Sequence, residues 1–302
     1  MKYRNLCIYF IVFIIVGTIL QLDIRNTSAA TNKNQAYMVV SSSVIIRSGP
    51  TDSKSKIVTV DRGTILYMIQ KHTTLQKQLW YKVKTVGGKQ GWVHSKNLQL
   101  LKRKVLNAPL IAQMPELPRG CEVTSLAMLL RYSGIKADKM TLAKQVKKDS
   151  TPYRKVNGKV YFGNPYNGFV GDMYTFNKPG YGVYHGPIAE LAKKYLGMER
   201  VTDLTGKEFD SVLEAINKGT PVWVVANTHF KKLSSSYFQE WYTPTGKVSI
   251  TYKEHSVLVT GYDNLYVYFN DPLKKVKNRR VLKTDFKAAW IQMGKQAVTY
   301  KK

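Results

Sequence analysis

The chain has 302 residues, of which 44% are hydrophobic and 12% are aromatic. This length suffices for about two domains, and this composition can bury a substantial core, which excludes a largely disordered protein. The formal net charge of +28 at pH 7 indicates that the surface meets an anionic neighbour, although part of the lysine excess is ordinary solvated surface.

The first thirty residues have the pattern of a secretory signal. Lys2 and Arg4 precede an uninterrupted apolar run over residues 6–20, and the small residues Ser28-Ala29-Ala30 follow it. The run is shorter than the roughly 20 apolar residues of a spanning helix, which favours cleavage over an uncleaved anchor. We therefore expect residues 1–30 to be a signal peptide, with membrane contact only during export.

Export would determine both which anionic partners the basic chain meets and how many cysteines the mature chain keeps. Outside the cell, the phosphate-rich polymers and anionic lipids of a bacterial envelope are better partners for a basic protein than nucleic acid. Cys7 would leave with the signal, so the mature chain would keep Cys121 alone. Exported proteins normally use cysteines in disulfide pairs, so an unpaired one is either a buried inert thiol or a reactive group.

Residues 36–100 are rich in Val, Ile, Tyr and Trp and are divided by turn signals at short spacing. This pattern predicts a small all-β barrel. The segment resembles a bacterial SH3 domain through four landmarks in the usual order: IRSGP at 46–50, VDRG at 60–63, LWYKV at 79–83 and GWVH at 91–94. The resemblance implies binding of cell-wall peptides and hence targeting; a spacer barrel without affinity is the alternative.

Residues 105–302 mix helical and strand patterns, with helices first and strands after, which predicts an α+β domain with a largely antiparallel sheet. The apolar spacing and the capping residues predict helices over 121–132, 141–148, 187–196, 205–217 and 284–293. The 205–217 helix is expected to begin with a capping box formed by Thr205 and Glu208. Strands are predicted over 221–226, 248–252, 256–260 and 265–269, with a final strand in the tail.

Cys121 stands at the start of the first predicted helix, in the stretch RGCEVTSLAMLLRYSG. A helix start concentrates unpaired N–H groups and a partial positive charge, which stabilise a thiolate relative to a thiol. Gly120 leaves room for a close approach to the sulfur. These features favour a nucleophile over an inert thiol and require a base.

Three histidines lie outside the barrel: His185, His229 and His255. We favour His255 because it opens a predicted strand, and a strand holds a base more rigidly than a loop. The hairpin partner of that strand ends in Asn270-Asp271, and since neighbours on a strand face opposite ways, one of the two can orient the imidazole. We favour Asp271, which can also stabilise an imidazolium ion.

The sequence segments around these residues resemble those of the extracellular branch of the bacteriocin-leader-peptidase-like cysteine peptidases, which belong to the papain-like clan. The resemblance covers about residue 105 to the C-terminus and rests on QMPELPRGCEVTSLAMLL at 113–130, NPYNGFVGD at 164–172, EHSVLVTGY at 254–262 and NDP at 270–272. It implies a papain-like cysteine peptidase domain over residues 105–302. It also implies Cys121 as nucleophile, His255 as general base and Asp271 as orienting acid.

The same resemblance implies that a glutamine upstream of the cysteine donates to the oxyanion together with the backbone N–H of the cysteine. Gln113 is the candidate, eight residues upstream of Cys121 and behind a Met-Pro-Glu-Leu-Pro insertion. The sequence has no metal-ligand cluster, phosphate-binding loop or haem motif, so we expect neither a metal nor another cofactor.

The sequence thus predicts an exported cysteine peptidase, secreted or associated with the cell wall, that hydrolyses a peptide or amide bond through Cys121, His255 and Asp271. Its expected partners are a peptide or protein substrate and the wall itself, that is, peptidoglycan or anionic wall polymers, but not nucleic acid. Two alternatives stay open: a peptidoglycan endopeptidase or amidase, and a non-catalytic wall-binding or adhesion protein with a papain-like domain.

Overall fold

The structure is a computed structural model, and it describes residues 35–85, 87–101 and 103–302. The predicted signal peptide lies outside the described residues. Within the described part of the chain, every helix is too short or too polar to cross a membrane.

Residues 36–100 form the N-terminal barrel, in which each strand pairs antiparallel with its neighbours. The order across the sheet is Lys56–Asp61, Ser43–Arg47, Gln90–His94, Leu79–Thr85, Ile65–Thr73, Ala36–Val39 and Leu98–Leu100. One turn of 3₁₀ helix, Ser95–Asn97, precedes the last strand. The strands are β1 (Ala36–Val39), β2 (Ser43–Arg47), β3 (Lys56–Asp61), β4 (Ile65–Thr73), β5 (Leu79–Thr85), β6 (Gln90–His94) and β7 (Leu98–Leu100).

Strand β2 illustrates why this segment forms a barrel. Val44 and Ile46 are buried, whereas Ile45 between them is 37% exposed. Alternate residues of a strand point to opposite faces, so the two buried side chains join one core inside the barrel. Val83 and Val93 pack in the same core from neighbouring strands.

The rest of the chain forms an α+β domain, as the sequence predicts. Its helices are α1 (Cys121–Tyr132), α2 (Lys139–Gln145), α3 (His185–Leu196), α4 (Phe209–Asn217) and α5 (Lys283–Gln292). Its strands are β8 (Lys104–Val105), β9 (Lys148–Asp149), β10 (Arg154–Val156), β11 (Lys159–Tyr161), β12 (Phe169–Val170), β13 (Val201–Asp203), β14 (Val222–Asn227), β15 (Gln239–Thr243), β16 (Gly246–Ile250), β17 (Glu254–Tyr262), β18 (Tyr266–Asp271), β19 (Val276–Leu282) and β20 (Ala297–Tyr300).

The predicted capping box at the start of α4 is wrong. The helix begins at Phe209, and Glu208 precedes it without making a side-chain cap hydrogen bond. The Thr205 hydroxyl instead accepts the backbone N–H of Ala297 on β20, and Glu208 pairs with Lys295. Residues far along the chain therefore bind both side chains that a capping box would use, those of Thr205 and Glu208.

The predicted second helix is also displaced. It begins at Lys139, with the Asp138 side chain capping Thr141, and it ends at Gln145. Lys148 lies in β9 and pairs with Phe169 of β12. Because Lys148 pairs in a strand, the end of the predicted helix, residues 146–148, is not helical.

The main sheet of this domain has the strand order β13-β20-β14-β17-β18-β19, with β8 added beside β17, and all of these pairs are antiparallel. Strand β14 is buried along its whole length. Trp223 and Val225 pack with α1 and α3 on one face, while Val222 and Val224 pack with α4 and α5 on the other. Alternation along central strands therefore builds two cores, one on each face.

The barrel packs against the second domain through the face that carries α4. Ala36 and Ile65 belong to the same core as Phe209 and Val212 of that helix. At the end of α4, the side-chain amide of Asn217 donates to the sulfur of Met38 at 3.5 Å. A shared apolar core, rather than a linker alone, joins the barrel to the α+β domain.

Helix α1 depends on its buried apolar face for stability. We expect Leu126→Ala, at a fully buried position, to lower the free energy of unfolding by about 2–5 kcal/mol, because it leaves a cavity in a packed core. Urea unfolding followed by tryptophan fluorescence measures this. Leu265→Ala, at a position that is 61% exposed, is the matched control and should change stability by less than about 0.5 kcal/mol; equal losses would contradict the expectation.

Candidate active site

Cys121 is the first residue of α1, and it is almost fully buried. Gly120 precedes it as the N-cap residue, and a Cβ at that position would lie 2.5 Å from the Cβ of Leu117. Glycine is therefore needed for the chain to enter the helix at this point. The first N–H groups of an α-helix have no intrahelical acceptor, so they are available to a ligand near the sulfur.

His255 and Asp271 form a buried pair at the open end of the β17–β18 hairpin. The Nε2 atom of His255 lies 2.9 Å from Oδ1 of Asp271, and both side chains are at most 3% exposed. Because Asp271 engages Nε2, Nδ1 is the ring nitrogen that remains for exchange of a proton with another group.

Asp271 is held ionised by several donors. Its carboxylate accepts from a guanidinium nitrogen of Arg279 at 2.7 Å and from the backbone N–H groups of Leu273 and Lys274. Burial alone would raise the pKa of Asp271, but the hydrogen bond and charge of His255, the Lys274 N–H and Arg279 outweigh it and lower the pKa below its ordinary value of 3.8.

Asn270 faces the other way, as strand geometry requires. Its side-chain amide donates to the backbone carbonyls of Ala108 and Pro109 at 3.1 and 2.9 Å, and its oxygen accepts the N–H of Asn278. The structure brings Asp271, and not Asn270, to the imidazole of His255.

Two hydrogen bonds fix the position of Cys121 relative to the central strands. The Ser125 hydroxyl on α1 donates to the backbone carbonyl of Ser256 on β17 at 3.1 Å. The indole N–H of Trp223 on β14 donates to the carbonyl of Glu122 at 2.9 Å. The helix that carries the thiol is thereby tied to the strand that carries the histidine.

Cys121 and His255 line one pocket with a volume of about 330 Å³. Its wall combines aromatic, charged and backbone groups. The other lining residues are Gln113, Pro118, Arg119, Phe176, Gly180, Tyr181, Thr228, Tyr252, Glu254 and Leu273. The three residues Cys121, His255 and Gln113 that the sequence singles out therefore line one common pocket.

The side chain of Gln113 is buried, and its amide nitrogen donates to the carbonyls of Leu117 and Pro118 at 3.3 and 3.0 Å. Its Oε1 atom is buried without a hydrogen-bond partner among the described residues. Donation to an oxyanion requires the amide nitrogen to leave these carbonyls. The oxyanion role of Gln113 stays a prediction.

Two glutamates at the site were missed by the sequence reasoning. The thiol of Cys121 lies 3.3 Å from Oε2 of Glu122 and 3.9 Å from Oε2 of Glu254. Glu122 is fully buried, and its Oε1 accepts the backbone N–H of Val183 at 2.8 Å. Their direct adjacency in sequence to Cys121 and His255 was the signal that could have identified them.

Gly182 makes room for these two carboxyl groups. A Cβ at this position would lie 2.2 Å from Oε1 of Glu122 and 3.3 Å from Oε2 of Glu254. Any larger residue would push the carboxyl groups out of place.

The surroundings of the thiol act against a resting thiolate. Burial raises the pKa of the Cys121 thiol well above its ordinary value, and the charges of Glu122 and Glu254 raise it further. The backbone N–H of Ser256 acts in the opposite direction but is outweighed. The helix start alone suggested a lowered pKa because the sequence did not reveal that two carboxyl groups converge on the sulfur.

Both carboxyl groups favour their protonated forms. Burial raises the pKa of Glu122 above its ordinary value of 4.5. Burial, followed by the charge of Glu122, raises the pKa of Glu254 well above the same value. Two carboxylates with oxygens within 4.8 Å of each other in a poorly solvated site cannot both ionise readily, so at least one proton is retained near neutral pH.

Within the described ranges of the chain, the same atoms form a group that could hold a metal ion. The sulfur of Cys121 and one carboxylate oxygen each from Glu122 and Glu254 lie within 4.8 Å of one another. A single cation could bridge donors at such separations. The sequence-based expectation of a metal-free protein stays a prediction.

The other two histidines of the domain lie elsewhere. Nδ1 of His185 lies 2.6 Å from Oδ2 of Asp203 at a partly exposed position. The ring of His229 packs edge-on against Tyr237, with centroids 5.5 Å apart. Neither belongs to the described lining of the pocket that contains Cys121.

Comparisons with known proteins agree with this architecture. The sequence profile of the Peptidase_C39 like family matches residues 105–298, and that of the bacterial SH3 domain matches residues 42–99. The chain is 50% identical over 201 residues to the uncharacterized protein YvpB of Bacillus subtilis strain 168, covering 66% of this chain and 76% of YvpB. Its sequence is also 48% identical to the chain in a crystal structure of a proposed C39-like peptidase from Bacillus anthracis. The two structures superpose with a TM-score of 0.63, and the match covers 67% of this chain and 98% of the other.

The buried carboxyl groups predict an unusual dependence of stability on pH. Because the pKa values of Glu122 and Glu254 are raised on folding, the folded protein binds more protons than the unfolded chain above pH 4.5. The free energy of unfolding should therefore fall as the pH rises from about 4.5 to 8, by up to about 1.4 kcal/mol per pH unit for each proton. Asp271 has a lowered pKa, so its contribution is lost only on acidification below this range.

Glu122→Gln should flatten this dependence, since glutamine can still accept the Val183 N–H but does not titrate. Urea unfolding at a series of pH values measures the slope. Glu240→Gln is the control, because Glu240 is exposed and paired with Lys247 on β16. A slope that is the same in wild type and Glu122→Gln would contradict the assignment.

Proposed function

Because the chain belongs to the Peptidase_C39-like family, we propose that it is an exported cysteine peptidase that hydrolyses a peptide or amide bond through Cys121, His255 and Asp271. One observation carries the proposal. His255, whose Nε2 lies 2.9 Å from Oδ1 of the buried Asp271, lines the same pocket as a cysteine at a helix start. This is the set of groups that acyl transfer to a thiol needs: nucleophile, base and orienting carboxylate.

The reaction begins with transfer of the Cys121 proton to Nδ1 of His255, while Asp271 holds Nε2 and stabilises the imidazolium ion. The sulfur attacks the carbonyl carbon, and the oxyanion forms near the first N–H groups of α1, including that of Cys121. His255 then protonates the leaving amine as the C–N bond breaks. Water, deprotonated by His255, attacks the thioester and releases the acid and the thiol.

Removing the members of this set separates their roles. We expect Cys121→Ala to abolish cleavage and Asp271→Asn to lower kcat by at least about 10²-fold, since it removes the charge that stabilises the imidazolium ion. The measurement is mass spectrometry of a peptide library and of purified cell walls after incubation with the wild type or a variant. The products also distinguish a general peptidase from a peptidoglycan endopeptidase or amidase.

Asp263→Asn is the matched control on the same hairpin. Asp263 caps the turn by accepting the N–H groups of Leu265 and Tyr266, so this variant should retain wild-type cleavage. Cleavage that persists in Cys121→Ala would refute the proposed nucleophile.

A second candidate is a non-catalytic wall-binding protein, and the raised pKa of the Cys121 thiol is the observation that favours it. The rate of alkylation by neutral iodoacetamide separates the two. A base acting on the thiol makes the rate fall strongly in His255→Ala, whereas an inert thiol reacts equally slowly in both proteins.

We further propose that the barrel directs the protein to the cell wall, supported by the match of residues 42–99 to the bacterial SH3 domain. The basic surface could retain the chain on anionic polymers without help from the barrel, but salt screens such binding, with a Debye length of about 3 Å at 1 M. We expect the full chain to sediment with purified walls even at about 1 M NaCl. Complete release into the supernatant would leave net charge as the sole cause of wall association.

A further inference from the structure

Two aromatic side chains in the wall of the pocket that contains Cys121 are largely exposed to solvent. Phe176 is 63% exposed and Tyr252 is 60% exposed, and both line this pocket. Pro118 and Leu273, which are partly exposed, line it as well. Single exposed apolar residues are common on protein surfaces, whereas several of them in one concave site mark a binding surface. The pocket wall is therefore suited to an apolar occupant.

Phe176 lies on a loop whose shape does not depend on the phenyl ring. At the base of the loop, Gly171 and Gly180 form an antiparallel bridge. Within the loop, the carboxylate of Asp172 accepts two backbone N–H groups, those of residues 174 and 175, at 2.7 and 3.0 Å. These backbone contacts hold the loop in place, so the exposed ring is presented by the loop rather than needed to fold it.

Arg119 restrains both this loop and the ring that it presents. Its guanidinium group donates to the backbone carbonyls of Asp172 and Thr175 and lies 4.9 Å from the centroid of the Phe176 ring. A cation over an aromatic face favours one orientation of the ring. A side chain that is already ordered loses little conformational entropy when a ligand covers it, which favours binding.

Tyr252 is restrained by buried aromatic neighbours. Its ring packs edge-on against Tyr181 and Trp241, with centroids 6.1 and 6.0 Å apart. Both neighbours are buried, and Tyr181 also lines the pocket. Tyr252 is thus held from the core side, while most of its surface stays accessible at the pocket.

The volume of the pocket and its charged groups also favour a large apolar occupant. A cavity of roughly 150 Å³ accommodates benzene, and this pocket has a volume of about 330 Å³. Arg119 donates to the loop, and His255 pairs with Asp271. Glu254 has a raised pKa because it is buried, so it offers a neutral carboxyl group rather than a charge. None of these three side chains offers an unpaired charge to a charged substrate group.

We propose that Phe176 and Tyr252 form a subsite that binds a large apolar side chain of the substrate, aromatic or branched aliphatic, next to the bond that is cut. The inference rests on the proposed function for the identity of that substrate as a peptide. Burial of such a side chain against two ordered rings selects the substrate and holds its carbonyl group near Cys121. Phe176 and Tyr252 are therefore specificity-determining residues.

Neutral thiol reagents that differ in their apolar group test the subsite without any need for cleavage. Wild type is treated with benzyl, 2-hydroxyethyl and methyl methanethiosulfonate. In each reaction the thiol gives its proton to the buffer, its sulfur attacks the reagent sulfur, a mixed disulfide forms and methanesulfinate leaves. Mass spectrometry of the peptide that contains Cys121 gives the rate constants, each divided by that for free 2-mercaptoethanol.

We expect the benzyl reagent to be preferred over the 2-hydroxyethyl reagent by about tenfold, the factor that corresponds to burial of roughly 60 Å² of apolar surface at about 25 cal/mol per Å². Phe176→Ala and Tyr252→Ala should each lower this preference about threefold or more, because each removes part of that surface. The methyl reagent reports whether the site remains formed in each variant.

Tyr174→Ala is the matched control on the same loop. Tyr174 is aromatic and 44% exposed, but it does not belong to the described lining of the pocket, so the preference should remain as in wild type. No preference for the benzyl reagent in wild type, or a preference that Phe176→Ala and Tyr252→Ala both leave intact, overturns the proposal. An equal loss in Tyr174→Ala also overturns it, because the cause is then the loop and not the pocket wall.

Peptide substrates then show which residue of the substrate occupies the subsite. Each cleaved peptide is compared with forms in which one residue near the cut is replaced by Phe, Leu, Ser or Asp. The position at which Phe or Leu raises kcat/KM at least about tenfold over Ser in wild type, but less in Phe176→Ala, is the one bound by the subsite.

The two kinds of measurement separate the subsite from the proposed activity. Cleavage without any position that favours Phe or Leu overturns the subsite and leaves the proposed peptidase standing. A preference for the benzyl reagent without any cleavage has the reverse meaning, since it supports the subsite and counts against the peptidase.

Discussion

The hydrogen bond between His255 and Asp271 is the constraint on which the site depends. It joins the start of β17, at the open end of the β17–β18 hairpin, to a carboxylate that Arg279 and two backbone N–H groups keep ionised. Since β17 also pairs with β14 and lies under α1, the imidazole is fixed relative to the thiol by the middle of the sheet. The imidazole of His255 is held rigidly because it is buried in the core. Its hydrogen bond to Asp271 occupies Nε2 and leaves Nδ1 free.

The protonation state of the Cys121 thiol depends on a different balance of interactions. A helix start favours a thiolate, but burial and two carboxyl groups favour the thiol, and the second influence wins because the charges are close and poorly solvated. The resting site therefore favours a protonated sulfur in the pocket that His255 also lines.

The barrel and the α+β domain share an apolar core around α4, so they present two surfaces of one packed unit. The pocket that contains Cys121 is formed within the second domain alone. Affinity for a surface and the reaction at the pocket can therefore vary independently in this architecture, with the basic charge of the chain adding a general attraction to anionic polymers.

The class of each domain is predictable from the sequence, since strand alternation, turn residues and the spacing of apolar residues are local signals. The sequence also determined helix α1 and the pairing of a histidine strand with an Asn-Asp strand end. The tertiary structure decided the rest. The start of α4 was mispredicted because Ala297 and Lys295, far along the chain, take the groups expected to cap it. Glu122 and Glu254 were missed as site residues because only folding brings two residues 132 positions apart to one sulfur, and electrostatics at that sulfur depends on distance in space, not along the chain.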